Sequence, residues 1–245
     1  MVSSKPIIFK HQKDNFIVFG ARPCTNCSLN IENRNIERVY STKFLGVILD
    51  SKLTWGEHIA HVTSKVACSV GVLNRARDLL PRNLLLKLYY ALIYPYLTYC
   101  NIVWGVAGVT HLSKLKTLQK RAIRIVSGSH YLEHTKPLFT KLHVLSMPDI
   151  HRFLTSQFMY RIKNLLSPSS CLHLVSVAPL NCEHATRNQF YFIRSKCRTN
   201  MKQHSIGYIG PAIWNSLPVS IQNANSIGVF NNLLRSFLIS SPSTN

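Results

Sequence analysis

Acidic residues are what this chain of 245 residues has least of: aspartate and glutamate number 9 against 29 lysines and arginines, for a formal net charge of +20. Its aspartates are Asp14, Asp50, Asp78 and Asp149, and no two are close in sequence. An adjacent carboxylate pair of the kind that holds two metal ions for nucleotidyl transfer is therefore missing. After Glu183 there is no acidic residue at all. A globular chain this basic faces a polyanion, with phosphate backbones the first candidate and an anionic membrane surface the second. The chain also opens without an uncharged apolar run, since Lys5, Lys10 and Lys13 interrupt it, so no signal peptide is read there. The 7 cysteines are odd in number and irregular in spacing. A chain of this size does not need disulfide staples. The expectation is free thiols in a reducing compartment, nuclear or cytoplasmic.

What is present is enough apolar residue, 46%, to form a core. One uncharged stretch, Leu88 to Thr110, is long enough to cross a bilayer. Pro95, Asn101, Gly105 and Gly108 argue against a span, as do tyrosines at 89, 90, 94, 96 and 99, which favour the interface over hydrocarbon. A buried helix followed by a turn is expected instead, and no membrane.

Short apolar runs at Asn15–Gly20, Ser28–Ile31, Ile36–Tyr40 and Phe44–Leu49 predict strands. From Thr54 the period changes. Thr54 and Glu57 have capping-box spacing, and Ile59, Val62, Val66, Val70, Leu73, Ala76 and Leu80 make one helical stripe up to Pro81. A second helix is predicted over 82–97, with Leu85, Leu88 and Leu92 inward and a kink at Pro95, packed antiparallel to the first. A third begins at Thr110, burying Leu115, Leu118, Ala122 and Ile125. A fourth begins at Ser146 and buries Ile150, Leu154, Phe158 and Ile162. The segment 167–170 (Ser-Pro-Ser-Ser) reads as a boundary. Beyond it, short helices are expected near Pro211–Leu217 and Val229–Ile239, and a frayed tail at 240–245. The fold class expected is α+β and mostly helical: a small N-terminal antiparallel sheet, a helix bundle, and an irregular basic C-terminal region.

Several clusters invite a chemical reading. Lys116, Lys120 and Arg124 stand at i, i+4 and i+8 on the third helix, flanked by Lys114 and Arg121, with no acid between Asp78 and Glu133. A row this cationic lies in solvent or on phosphate. Arginines, lysines and aromatics interleave from Arg187 to Tyr208, which suits single-stranded nucleic acid or an irregular segment anchored by its rings. Cys24-x-x-Cys27 lacks a second pair at finger spacing. Cys171, His173, Cys182, His184 and Cys197 lack knuckle spacing, and His58 and His61 are expected at the surface. No metal, no cofactor and no catalytic residue is assigned.

Four segments in series resemble the reverse transcriptase of jockey-like and related LINE-type retrotransposons. They are 43–50 (KFLGVILD) with 53–59, then 88–105, then 115–125 (LKTLQKRAIRI), then 208–218 (YIGPAIWNSLP). Residues 15–20 (NFIVFG) resemble the strand at the end of the palm. The resemblance implies an end-of-palm and primer-grip remnant over 1–53, a thumb-like bundle over 54–166 and a basic post-thumb region over 167–245. It implies a primer-grip-like role for Phe44, Leu45, Gly46 and Val47, and contact with an RNA/DNA duplex by the thumb. The family's Phe/Tyr-Ala-Asp-Asp motif would lie upstream of residue 1, and Asp50 matches no catalytic position. The chain is thus expected to bind nucleic acid without catalysing, and to pair with a palm supplied in trans or with itself. A protein-interaction module retained by a host, or a truncated gene model of an active polymerase, are the alternatives.

Overall fold

A computed structural model describes residues 15–20, 28–31, 34–177 and 192–241. Contacts divide the chain into two units, Met1–His58 and Ile59–Asn245. The Cys24–Cys27 pair, Cys182, His184, Arg187 and the end of the tail lie outside the described residues.

In the first unit, β1 (Asn15–Phe16), β2 (Leu29–Ile31) and β3 (Arg34–Arg38) form one sheet in the order β1-β3-β2. The β2–β3 pairing is antiparallel, as expected, whereas β1 runs parallel to β3. β4 (Ser41–Phe44) and β5 (Val47–Asp50) make a separate antiparallel hairpin. The single strand expected over Phe44–Leu49 is therefore two strand ends and a turn. Phe44 pairs with Val47 across the two-residue loop Leu45-Gly46, where φ is +45° and +83°. Two successive positive φ values are the hairpin turn whose twist matches that of its strands. Gly46 supplies one of these two positive φ values, which glycine adopts without strain. Leu45 accepts the left-handed conformation at the cost of a crowded Cβ.

The start of α1 (Gly56–Ala76) also differs from the capping box expected. The carboxylate of Asp50 accepts hydrogen bonds from the amides of Lys52, Thr54 and Trp55 at 3.1, 3.0 and 2.8 Å. Thr54 Oγ1 takes only the Gly56 amide, at 3.4 Å. Asp50 competes successfully because a carboxylate is the stronger acceptor and can hold several donors at once. His58, expected at the surface, is buried, and the Ile48 amide donates to its Nδ1 at 3.4 Å.

The second unit continues α1, whose Ile59, Val62, Val66, Val70 and Leu73 are buried as the stripe predicts, while Ala76 and Leu80 are half-buried. Then follow α2 (Arg82–Leu92), α3 (Tyr94–Thr98), α4 (Asn101–Trp104), α5 (Val109–Ser127), α6 (Thr135–Lys141), α7 (Met147–Lys163) and α8 (Ser169–Leu172). A two-stranded ladder of β6 (Ser176–Val177) and β7 (Phe192–Ile193) precedes α9 (Asn200–Gln203), α10 (Ile206–Asn215), α11 (Val219–Gln222) and α12 (Ile227–Ser240).

The uncharged stretch is broken into α2, α3 and α4, and no described helix is long and apolar enough to cross a membrane. Pro95 sits in the first turn of α3, where its missing amide costs nothing. The buried row is Leu85, Tyr89, Ile93 and Leu97, spaced by four, so Leu88 and Leu92 are only half-buried. The close backbone partners of α2 are α3 and α5. On α5, Leu115 and Ala122 are buried as expected, with Leu112, Gln119, Ile123 and Val126, while Leu118 and Ile125 are half-buried.

α7 is the axis of this unit. It begins at Ser146 as predicted, with Pro148 in its first turn, and the Ser146 hydroxyl donates to the Asp149 carboxylate. Ile150 and Ile162 are buried, whereas Leu154 and Phe158 are half-buried. A single inward stripe fails because α3, α4, α10 and α12 all pack on α7. Thr155 and Ser156, small enough for close approach, are fully buried on it. Residues on both sides of 167–170 thus share one core. The glycine at 210 explains how closely α10 approaches: a Cβ there would stand 2.6 Å from Met159 Sδ. A column of rings closes the far side. Phe230 stacks on Tyr160 at 4.4 Å and on Trp214 at 5.9 Å, and Phe192 meets Trp214 edge-on at 5.8 Å. Trp214 and Leu217 are buried and Ile213 half-buried.

Candidate nucleic-acid interface

The basic face belongs to α5. Its buried side is anchored by Gln119, which donates through Nε2 to the Tyr89 hydroxyl at 2.9 Å and the Leu145 carbonyl at 3.0 Å, and accepts from the Met147 amide at 2.8 Å. Burial pushes the Tyr89 hydroxyl far above its ordinary range, so it stays protonated within this network. With that side fixed, the rest of the helix circumference carries Lys114, Lys116, Lys120, Arg121 and Arg124.

The row is less uniform than its spacing. At about 100° per residue, Lys116 and Lys120 lie on one flank, Lys114 and Arg121 on the other, and Arg124 between. Lys116 and Lys120 line a small cleft of about 160 Å³ toward α6, walled by Thr135, Lys136, Phe139 and Leu145. Arg121 and Arg124 face a wider groove toward the end of α1. Lys114, Lys120 and Arg121 are exposed, and Lys116 and Arg124 are half-buried. Among the described residues no ion pair ties Lys116 or Lys120. Arg124 is engaged in holding the chain after α5, donating from Nε to the Glu133 carbonyl at 2.8 Å.

The hairpin tip is the second candidate surface. Phe44 and Leu45 are 61% and 74% exposed, Gly46 is exposed, and Val47 is buried. An apolar tip held by a tight turn can be pressed against a partner without rearranging.

The aromatic and basic segment divides. Phe192 is a core residue, and Arg194 lies over the Tyr208 ring at 3.8 Å, occupying a face a base would otherwise use. Among the described residues no group of three or more His, Cys, Asp or Glu is placed to hold a metal ion. Cys68, Cys100, Cys171 and Cys197 are free thiols. Sequence reasoning missed Gln119, whose role depends on contacts at separations of 26 to 30 residues. It also missed Arg77 and Arg82, which join the groove of Arg121 and Arg124 from the turn after α1 and the start of α2.

The chain that forms this basic helix bundle, with short strands and a hairpin before it, is similar to RNA-directed DNA polymerases of non-LTR retrotransposons. The RNA-directed DNA polymerase from mobile element jockey of Drosophila melanogaster is 29% identical over 169 residues, 67% of this chain and 18% of the relative. That of Drosophila funebris is 27% identical over 186 residues, 75% of this chain and 19% of the relative. The probable RNA-directed DNA polymerase from transposon X-element of Drosophila melanogaster is 24% identical over 140 residues, 56% and 15% of the two chains. The chain thus spans under a fifth of the length of these relatives. No family model matches the sequence, and no solved structure matches it.

Proposed function

We propose that this chain is a non-catalytic part of a retrotransposon reverse transcriptase that binds primer–template nucleic acid through the basic face of α5. The observation that carries this reading is the five-cation face itself, rigidly mounted through Gln119 and without a carboxylate partner for Lys116 or Lys120. Cations held so close together repel one another unless counterions or phosphates lie on them, and the counterions that phosphates release on meeting such cations drive sequence-independent binding. In this reading residues 54–166 act as the thumb, 167–245 as its basic extension, and the hairpin tip at Phe44–Val47 as the primer grip. Among the described residues the aspartates are engaged singly, not as a catalytic pair. Asp50 caps the start of α1 and Asp149 that of α7, where it also lies 3.7 Å from Arg152, while Asp78 is exposed beside Arg77.

The first unit supports a partner. Phe19, Leu29, Ile31 and Tyr40 are all exposed large hydrophobics there. Exposed apolar residues on and beside short strands recruit other chains. In this reading the partner is the polymerase palm supplied in trans, or a second copy of the chain. Self-association in light scattering that a palm fragment relieves is the expected result; a monomer indifferent to that fragment would count against it.

The test of the binding reading is fluorescence anisotropy with a labelled RNA/DNA hybrid. Lys116→Gln with Lys120→Gln removes charge without touching the bond from Arg124 to Glu133. Affinity should fall by a similar factor for hybrids of unrelated sequence. A double variant that binds as the parent does would mean that this flank is only solvated.

A further inference from the structure

On the far flank of α5 lies a groove of about 880 Å³ between the end of α1, the start of α2 and the turn after α5. Four guanidinium groups line it, from Arg77, Arg82, Arg121 and Arg124, against one carboxylate, Asp78. Asp78 does little to neutralise them. Its contact with Arg77 is 3.2 Å long, but the two side chains are 79% and 54% exposed, and such surface pairs are screened and weak.

Two of the arginines are set in place by the fold. Arg82 lies over Gly128, which has φ of +68° and would, if it carried a Cβ, place it 2.9 Å from the Arg82 guanidinium. That position is beside the C-terminal end of α5, where a cation is favoured by the helix dipole. Arg124 is held by its bond to the Glu133 carbonyl. A guanidinium carries five N–H donors, so a single bond leaves Arg124 most of its capacity for an anion. Donors ordered in advance lose less entropy when a ligand arrives. Arg121, exposed on α5, adds charge at the mouth of the groove.

Beside these charges stands an exposed aromatic group. Tyr131 is 72% exposed on the turn after α5, with the His130 ring 5.0 Å away at 48°. Both residues line the same groove as the arginines. Cations that track phosphates together with an exposed ring on which a base can lie are the two parts of a single-strand site. A duplex does not use the second part, because its bases are already stacked on one another.

We propose that this groove binds a single nucleic-acid strand, phosphates on Arg77 and Arg82 and a base stacked on Tyr131, distinct from the duplex contact on Lys116 and Lys120. The inference rests on the nucleic-acid-binding reading above and adds to it a second, structurally separate site for an unpaired segment. Two strand types would then meet on opposite flanks of one helix.

The experiment measures binding of the full chain to labelled oligo(dT) and, in parallel, to an RNA/DNA hybrid. Tyr131→Ala should weaken oligo(dT) binding about five- to a hundredfold, leave the hybrid unchanged, and be rescued by Tyr131→Trp. Arg77→Gln with Arg82→Gln, neither of them on α5, should flatten the oligo(dT) salt slope by about 0.7 for each phosphate no longer neutralised. All three positions are exposed, and circular dichroism of each variant checks folding. If Tyr131→Ala leaves oligo(dT) binding unchanged, or if the arginine variant weakens hybrid and single strand alike, the groove is not a single-strand site. Hybrid binding without oligo(dT) binding by the parent would overturn this inference alone. Failure to bind either would overturn the wider reading with it. Groove variants that bind both nucleic acids as the parent does but no longer capture a phosphorylated peptide would assign the arginines to a protein partner, which also overturns the proposal.

Discussion

Gln119→Leu is the perturbation whose cost the structure defines most closely. Gln119 and Tyr89 are 1% and 0% exposed. The amide serves three partners on two other segments: the Tyr89 hydroxyl, the Leu145 carbonyl and the Met147 amide. Leucine has similar bulk but can satisfy none of them. A buried polar group left unpaired costs about 1–3 kcal/mol. The Tyr89 hydroxyl can rotate and the leucine gains apolar burial, so we expect a net loss of about 2–4 kcal/mol rather than the full sum. For a chain of this size that lowers Tm by roughly 5–15 °C. Urea unfolding followed by fluorescence of the buried Trp104 and Trp214 reads the change directly. A cycle with Tyr89→Phe should show coupling of about 1 kcal/mol between the two residues. If Gln119→Leu unfolds at the same urea midpoint as the parent, Gln119 is not the anchor of α5, and the argument for a rigidly mounted basic face fails with it.

Three other outcomes follow from single sites. Trp214→Ala empties the centre of the ring column and should cost about 3–5 kcal/mol; an unchanged melting curve would show that the packing of α10 and α12 on α7 contributes no stability. Burial holds the His151 imidazole below its ordinary value of 6.5, with Nδ1 facing the Asn101 carbonyl and Oδ1 at 3.2 Å. The unfolded chain therefore takes up the proton first as pH falls. Stability is fully present above about pH 6.5 and declines below it, by up to about 1.4 kcal/mol per pH unit. His151→Gln should flatten that decline in urea titrations, and an unaltered slope would refute the assignment. Finally, the purified chain should not extend a primed RNA template with Mg²⁺ or Mn²⁺, and extension that survives removal of contaminating polymerases would contradict the non-catalytic reading.

Much of the helical architecture was legible because it rests on local rules. The stripe from Ile59 to Leu73 and the start of α7 at Ser146 each follow from spacing or from one residue's backbone chemistry, whereas the kink expected at Pro95 is an interruption at Ile93 with Pro95 in the first turn of α3. What was not legible depends on contacts distant in sequence. Leu154 and Phe158 were expected inward, but α7 is covered on several sides and its buried set includes Thr155 and Ser156. His58 looked like a surface residue and is buried. The basic row could be read from i, i+4 spacing, yet its division between two clefts follows from where α6 and the end of α1 come to lie. Arg82 joins Arg121 only because Gly128 leaves room for it, at a separation in the chain that no periodicity connects.

The central claim is that phosphate contact on α5 drives binding, and the salt dependence of that binding tests it most directly. Log K for an RNA/DNA hybrid, measured across a series of salt concentrations, should fall linearly with log salt in the parent chain. The Lys116→Gln and Lys120→Gln variant should give a line flatter by somewhat under one unit for each lysine–phosphate pair removed. Binding that is indifferent to salt, or two parallel lines of equal height, would contradict the account and leave α5 a solvated face.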